Sequence, residues 1–259
     1  MSVTIQSMAN DQLRMQQLSA QLATGNRVNS AADDAAGSAI IEQMTAQING
    51  FEQATSNVAD MQNLVRTAEG GLNSIDDSLQ RVRELSLQAS NGTLSGANRE
   101  IIQGEINQIM QSIDSTVSNT EFNNQPLLDG SFANANTAAS PDGTGPEVTI
   151  PAMSVAALGL EDFDVTGDFD IADVDAALAT VSAARAELGA LTNRFDNTMD
   201  SNDISALNLA AARSRVQDTD VARAYSEREQ ARLMQEFQTM MLDQEAQDMR
   251  ARADMFMRL

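Results

Sequence analysis

Residues 51–89, FEQATSNVADMQNLVRTAEGGLNSIDDSLQRVRELSLQA, decide the fold. With Phe51 at position a of a heptad, the a series runs Phe51, Val58, Val65, Leu72, Leu79 and Ser86. The matching d series is Ala54, Met61, Ala68, Ile75, Val82 and Ala89. Eleven of these twelve residues are apolar, Ser86 being the exception. A seven-residue apolar repeat held for that distance specifies a helix whose seam faces other helices, as in a coiled coil. The pattern extends over about residues 34–90, which predicts a helix of roughly 85 Å at 1.5 Å per residue. Such a helix does not fit inside a compact globule.

Asn91-Gly92 stops this helix, and a second begins near Ala97, with Ile102, Ile106, Ile109, Ile113 and Val117 alternating by four and three. So short a connection makes the second helix an antiparallel neighbour of the first. A third long pattern starts near Asp170. Val174, Val181, Leu188 and Phe195 recur every seven residues, with Ala177, Ala184 and Leu191 at d. It crosses a polar layer at Asn202 and Ser205 and resumes at Leu209, Ala212 and Val216. The fold class expected is mainly α: an elongated, coiled-coil-like bundle of long helices.

Residues 121–168 have a different character. Ser131 to Pro146 is rich in Ala, Asn, Ser, Gly and Pro, which marks an exposed loop. Glu147-Val-Thr-Ile-Pro151 alternates as a strand does, and a small β-hairpin region capping the bundle is expected here.

Composition narrows the function. Hydrophobic residues make up 42% of the 259-residue chain, but aromatics only 3%, so its core draws on Ala, Leu, Ile, Val and Met. The formal charge is −21 and every one of the 16 basic residues is Arg. Nucleic acid would repel such a chain, because affinity there comes from neutralising phosphates. With no Cys and no His, thiol nucleophiles, disulfides, most zinc and copper sites and the commonest general base are all removed. No carboxylate pair, phosphate-cradling Gly loop or metal-ligand cluster stands out, so neither an enzyme nor a cofactor is expected. Residues 1–24 lack the basic start and continuous apolar core of a secretory signal. No apolar run reaches the ~18–20 residues that span a bilayer, so membrane insertion is not expected.

The chain ends are amphipathic in a looser way. Residues 3–24 carry Ile5, Met8, Leu13, Met15, Leu18 and Leu22, and residues 221–259 carry Leu233, Phe237, Met240, Met241, Met249, Phe256 and Met257. Six of the chain's 14 Met fall in that last segment. Met is flexible and polarizable, which suits a surface that packs against another subunit; the alternative is that these residues fill an intramolecular core. On the first reading Leu13, Leu18, Leu22, Leu233, Phe237, Met240, Met241, Met249 and Phe256 are the subunit-assembly residues.

Beyond pattern, the residues resemble bacterial flagellin. Leu22-Ala-Thr-Gly-Asn-Arg-Val-Asn-Ser-Ala-Ala-Asp-Asp-Ala-Ala-Gly37 is similar to that family's loop leading into its first long helix. Ser78-Leu-Gln-Arg-Val-Arg-Glu-Leu-Ser-Leu-Gln-Ala-Ser-Asn-Gly92 resembles its best-known stretch. Thr120-Glu-Phe-Asn-Asn-Gln-Pro-Leu-Leu-Asp-Gly130 resembles its approach to the β-hairpin. Leu188-Gly-Ala-Leu-Thr-Asn-Arg-Phe195 and Ala212-Arg-Ser-Arg-Val-Gln-Asp-Thr-Asp-Val-Ala222 are similar to its C-terminal half. These segments come in the family's order and span nearly everything except 131–187.

The resemblance implies a subunit that polymerises with copies of itself into the extracellular flagellar filament used in motility. It places terminal helices, here 1–32 and 221–259, in an inner tube, and a helical-bundle shell domain at 33–220 with the β-hairpin region at about 121–168. It also implies export through the flagellar secretion machinery with a chaperone, without a cleaved signal peptide, and contact with filament cap and hook-junction proteins. The variable outer domains of larger members are expected to be missing. Two departures lie at the start: Thr4-Ile-Gln-Ser-Met8 replaces the usual opening, and the first helix is expected to be shorter than the family's by about a dozen residues, or three turns. Two other functions share the helical pattern: a hook–filament junction protein of the same superfamily, and a non-flagellar coiled-coil adaptor.

Arg81, Leu85 and Glu105 fall where similar flagellins contact a flagellin-sensing Toll-like receptor of animal hosts, on a surface that also joins subunits along the filament. Leu85 is expected to be an exposed apolar anchor, with Arg81 and Glu105 polar positions beside the seam. The run Asp164-Val-Thr-Gly-Asp-Phe-Asp-Ile-Ala-Asp-Val-Asp175 partly matches a calcium loop, with Asp164, Asp168 and Asp175 at positions one, five and twelve. Phe169 occupies the place of the sharp-turn Gly, and Asp175 that of the bidentate Glu, so no metal is the main expectation. The same carboxylates suit the N-terminus of the following helix. Asn91-Gly-Thr93 is a lone glycosylation sequon.

Overall fold

The computed structural model describes residues 2–257, except for the side chains of 2–5, 252, 254, 256 and 257. Among the described residues there are five helices: α1 (Ser2–Thr24), α2 (Ala35–Ala89), α3 (Gly96–Asn119), α4 (Ile171–Gln217) and α5 (Val221–Met257). Between α3 and α4 lie four two-residue strands, β1 (Glu121–Phe122), β2 (Gln125–Pro126), β3 (Ala135–Asn136) and β4 (Glu147–Val148). The chain gathers into two compact units: one runs to Ile48 and resumes at Leu207, and the other is Asn49–Ala206.

The unit Asn49–Ala206 is a three-helix bundle. Of the twelve seam residues on α2, ten are buried, and they pack with Ile102, Ile106, Ile113 and Val117 of α3 and Val174, Val181, Leu188 and Phe195 of α4. Polar bonds along the flank set the register of α2 and α4. Arg83 Nε donates to Asp175 at 2.6 Å, Gln62 Nε2 to Asp196 at 2.7 Å, and Thr55 to Asp203 at 3.4 Å. Three heptads separate the first two bonds in each helix, and one heptad separates the second from the third. The two helices therefore run antiparallel without slippage. Ser86, the one polar seam residue, is fully buried and donates to the Val82 carbonyl at 2.7 Å, so its hydroxyl carries no unmet demand.

Just past the C-terminal end of α2, α3 starts on Ser95, whose hydroxyl accepts from the Asn98 amide at 3.3 Å. Its far end meets α2 where Gly71 sits. A Cβ there would lie 2.7 Å from both Leu128 Cδ1 and Thr120 Oγ1, so the close approach requires glycine.

The β region differs from the single hairpin expected. β1 and β2 form one antiparallel pair, turned by Asn123 and Asn124 at φ of 50° and 62°, a backbone that Asn tolerates well. β3 and β4 form a second. The strand expected over 147–151 keeps ladder pairing only at Glu147–Val148, although the Ile150 amide still reaches the Phe132 carbonyl at 3.0 Å. Pro151 has no N–H to continue it.

The stretch Ser131–Pro146 is not simply an exposed loop. Phe132, Thr137 and Ala139 are buried, and the buried Asn202 amide of α4 donates to the Ala139 carbonyl at 2.9 Å. Asn57 of α2 donates to the neighbouring Ala138 carbonyl at 3.2 Å. The polar layer expected at Asn202 is thus where the bundle holds this segment's backbone. Small residues allow the fold-back: a Cβ on Gly145 would stand 2.7 Å from the Ala139 nitrogen.

Candidate functional site

In the other unit, α1 and α5 form an antiparallel pair. Gly25, at φ 74°, ends α1, its amide donating to the Gln21 carbonyl at 2.8 Å. The following residues are tied to the segment between α4 and α5. The Arg27 amide donates to the Gln217 carbonyl at 2.6 Å, its guanidinium to the Val216 carbonyl at 2.7 Å, and the Thr219 amide to the Gly25 carbonyl at 2.8 Å. Asp34 then caps α2 by accepting from the Gly37 amide at 2.8 Å, and Asp220 caps α5 by accepting from the Arg223 amide at 3.1 Å.

The face of α5 turned toward α1 is small and polar. Ala224 and Ala231 are buried, as is Leu18 of α1. Arg14 pairs with Glu227 at 3.2 Å, and Gln238 donates to Asp11 at 2.9 Å. The Glu227 carboxyl is held below the usual glutamate range by its hydrogen bond from Arg223, then by that from Arg14. Along α5 these inward residues recur by sevens (Ala224, Ala231, Gln238), so one stripe is used inside the subunit.

The large apolar residues of α5 lie elsewhere on it. Leu233, Met234, Phe237, Met240 and Met241 follow the i, i+1, i+4, i+7, i+8 spacing of one helix face, and all five are exposed, Phe237 at 58% and Met240 at 62%. Burying each such side chain contributes about 1.5–3 kcal/mol, and a contiguous exposed patch of this kind marks a binding surface. Leu13 of α1 is exposed as well, at 60%, and Met249 and Met255 are exposed farther along α5.

The assembly residues named from sequence therefore divide. Leu13, Leu233, Phe237, Met240, Met241 and Met249 are exposed, Leu18 is buried and Leu22 is half-buried. The Phe256 side chain lies outside the described residues. Met234 joins the exposed set, and its helical spacing from Phe237 and Met241 is the signal that marks it. Arg27 joins the tie between α1 and α5 with no local signal, because its bonds go to a segment nearly two hundred residues later.

On α2, Arg81 Nη2 meets Glu105 of α3 at 2.7 Å and Nη1 meets Glu84 at 3.1 Å, and both contacts push the guanidinium pKa up. Leu85 corrects the expectation of an exposed anchor: it is 2% exposed, inside the bundle core. It occupies the g position, and a helix that meets two others buries a wider arc than an a/d seam. The calcium alternative finds no assembled site. Asp164 accepts from the Thr166 amide and hydroxyl at 2.8 and 2.7 Å, while Asp175 is engaged by Arg83. Among the described residues no group of three or more His, Cys, Asp or Glu could hold a metal ion, and no helix is long and apolar enough to cross a membrane.

Comparison with known proteins agrees with this architecture. Residues 1–133 match the family model of the bacterial flagellin N-terminal helical region, and residues 171–251 that of the bacterial flagellin C-terminal helical region. The chain is 37% identical over 263 residues to a flagellin of Bacillus subtilis (strain 168), covering 86% of each. It is 36% identical over 223 residues to the flagellar filament core protein flaB2 of Brachyspira hyodysenteriae, covering 78% of each. In fold it is similar to a putative flagellar hook-associated protein from Vibrio parahaemolyticus, with a TM-score of 0.59 and 18% identity, over 72% of this chain and 100% of that one. Both family regions are matched in order, the first reaching through β1 and β2 and the second beginning at the start of α4, and the chain belongs to the bacterial flagellin family.

Proposed function

We infer that this flagellin is the structural subunit of a bacterial flagellar filament, built by self-association of many copies outside the cell, and that it is not an enzyme. The observation that carries the assembly surface is the stripe Leu233, Met234, Phe237, Met240 and Met241, which α5 does not use in packing on α1. Water-exposed Phe, Leu and Met on one helix face are stabilised by covering them, and in a homopolymer the cover is another copy. The terminal segments 1–32 and 221–259 serve as the inner tube, and 33–220 as the shell around it. Subunits leave the cell through the flagellar export machinery with a chaperone, and meet cap proteins at the tip and hook-junction proteins at the base. The Arg81–Glu105 surface contacts either the next subunit or a host Toll-like receptor.

The test is seeded polymerisation followed by electron microscopy. Purified subunits added to filament fragments should extend them into long tubes, and Phe237→Asp with Met240→Asp should abolish extension while leaving the thermal unfolding of the bundle unchanged. Short caps instead of tubes would assign the chain to the hook–filament junction. A stable small oligomer that ignores seeds would assign it to a soluble adaptor, and normal tubes from the double variant would remove α5 as the assembly surface.

A further inference from the structure

The chain has no cysteine, so its thioethers are the softest nucleophiles it carries. Their burial is sharply divided. Among the described side chains, every methionine in the exposed class lies on α5: Met234, Met240, Met241, Met249 and Met255. Met8, Met15, Met44, Met61 and Met199 are half-buried, while Met110 and Met153 are in the bundle core. Three of the five exposed ones, Met234, Met240 and Met241, share the stripe with Leu233 and Phe237. Met249 and Met255 lie beyond Gln244 and Asp248, which interrupt it.

We propose that Met234, Met240 and Met241 form an oxidative modification site that withdraws free subunits from polymerisation. The proposal rests on the stripe being the surface covered in the filament. The reagent class is a peroxide. The sulfur lone pair attacks one peroxide oxygen, an S–O bond forms and the O–O bond breaks, and the departing oxygen takes up the proton and leaves as water. Sulfur is oxidised by two electrons and the peroxide is reduced. Each event replaces a flexible apolar thioether by a polar sulfoxide with a strong acceptor oxygen, on a surface that must become dry. In the filament the same sulfurs are covered, so the site belongs to the subunit before incorporation, and sulfoxide reduction restores it.

The experiment treats free subunits and preformed filaments with dilute hydrogen peroxide, maps sulfoxides by peptide mass spectrometry, and measures seeded elongation. In free subunits Met234, Met240 and Met241 should be modified well ahead of Met110 and Met153, and elongation should slow about ten-fold or more. Methionine sulfoxide reductase should restore the rate, and filaments should show slower modification of the same three residues. The Met234→Leu, Met240→Leu, Met241→Leu variant should still elongate after peroxide, although its Met249 and Met255 are oxidised. Normal elongation by wild-type subunits carrying the three sulfoxides would overturn the proposal, as would loss of elongation not reversed by the reductase. Should the triple variant not elongate even untreated, the wild-type and reductase arms decide alone. Failure of untreated wild-type subunits to elongate would instead reject the assembly reading, and the proposal with it.

Discussion

Gln62 Nε2 donates to Asp196 Oδ1 at 2.7 Å, joining a buried amide on α2 to a carboxylate on α4 one heptad from the Thr55–Asp203 bond. A neutral donor facing a charged acceptor at the edge of an apolar core makes a hydrogen bond worth about 1.5–3 kcal/mol. Gln62→Ala should destabilise the bundle by about that much in denaturant unfolding. Gln62→Glu should cost more at neutral pH, because it sets two carboxylates against each other. The excess should vanish when acid protonates them; an excess that persisted in acid would make it steric.

Adjacent glycines on α2 should respond oppositely to alanine. A Cβ on Gly70 meets nothing within 4 Å, so Gly70→Ala should stabilise the helix by about 0.5–1 kcal/mol. A Cβ on Gly71 meets Leu128, which is fully buried, and Thr120 Oγ1, which is held at 2.7 Å by the Thr116 carbonyl. Gly71→Ala should therefore cost about 1–3 kcal/mol, read from the same unfolding curves.

Acid should loosen the α1–α5 pair late. The Glu227 carboxyl is held below its ordinary value, so its contribution is present above the unfolded-state pKa and is lost as pH falls through the lower folded one. An NMR titration of Glu227 should show a midpoint below the usual glutamate range. Arg223→Ala should raise that midpoint more than Arg14→Ala does, and the reverse order would show that the link between helices dominates.

Leu85 and Arg81 should separate stability from recognition. Leu85 is enclosed in the core, and Leu85→Ala should cost about 2–5 kcal/mol of bundle stability. Arg81 is half-exposed in its pairs with Glu105 and Glu84, and Arg81→Ala should leave the unfolding midpoint nearly unchanged. A defect in receptor signalling or filament growth that appears in Arg81→Ala at full stability reports a surface contact, while one confined to Leu85→Ala reports unfolding.

The heptads beginning at Phe51 and Val174 were sufficient to determine which faces of α2 and α4 are buried, because a side chain's place on a helix follows from its position in the chain. Looser amphipathic spacing predicted helices at the two chain ends, the quoted segments pointed to flagellin, and it was that resemblance which implied that the end helices belong together. What only the tertiary structure decided depends on partners distant in sequence. Leu85 is buried because α2 meets two helices at once, and Ser131–Pro146 is held down because Asn57 and Asn202 reach its backbone. The Met-rich helix is the plainest case. Its composition favoured an interface but also allowed a core, and only the packing of Ala224 and Ala231 toward α1 left Phe237, Met240 and Met241 facing outward.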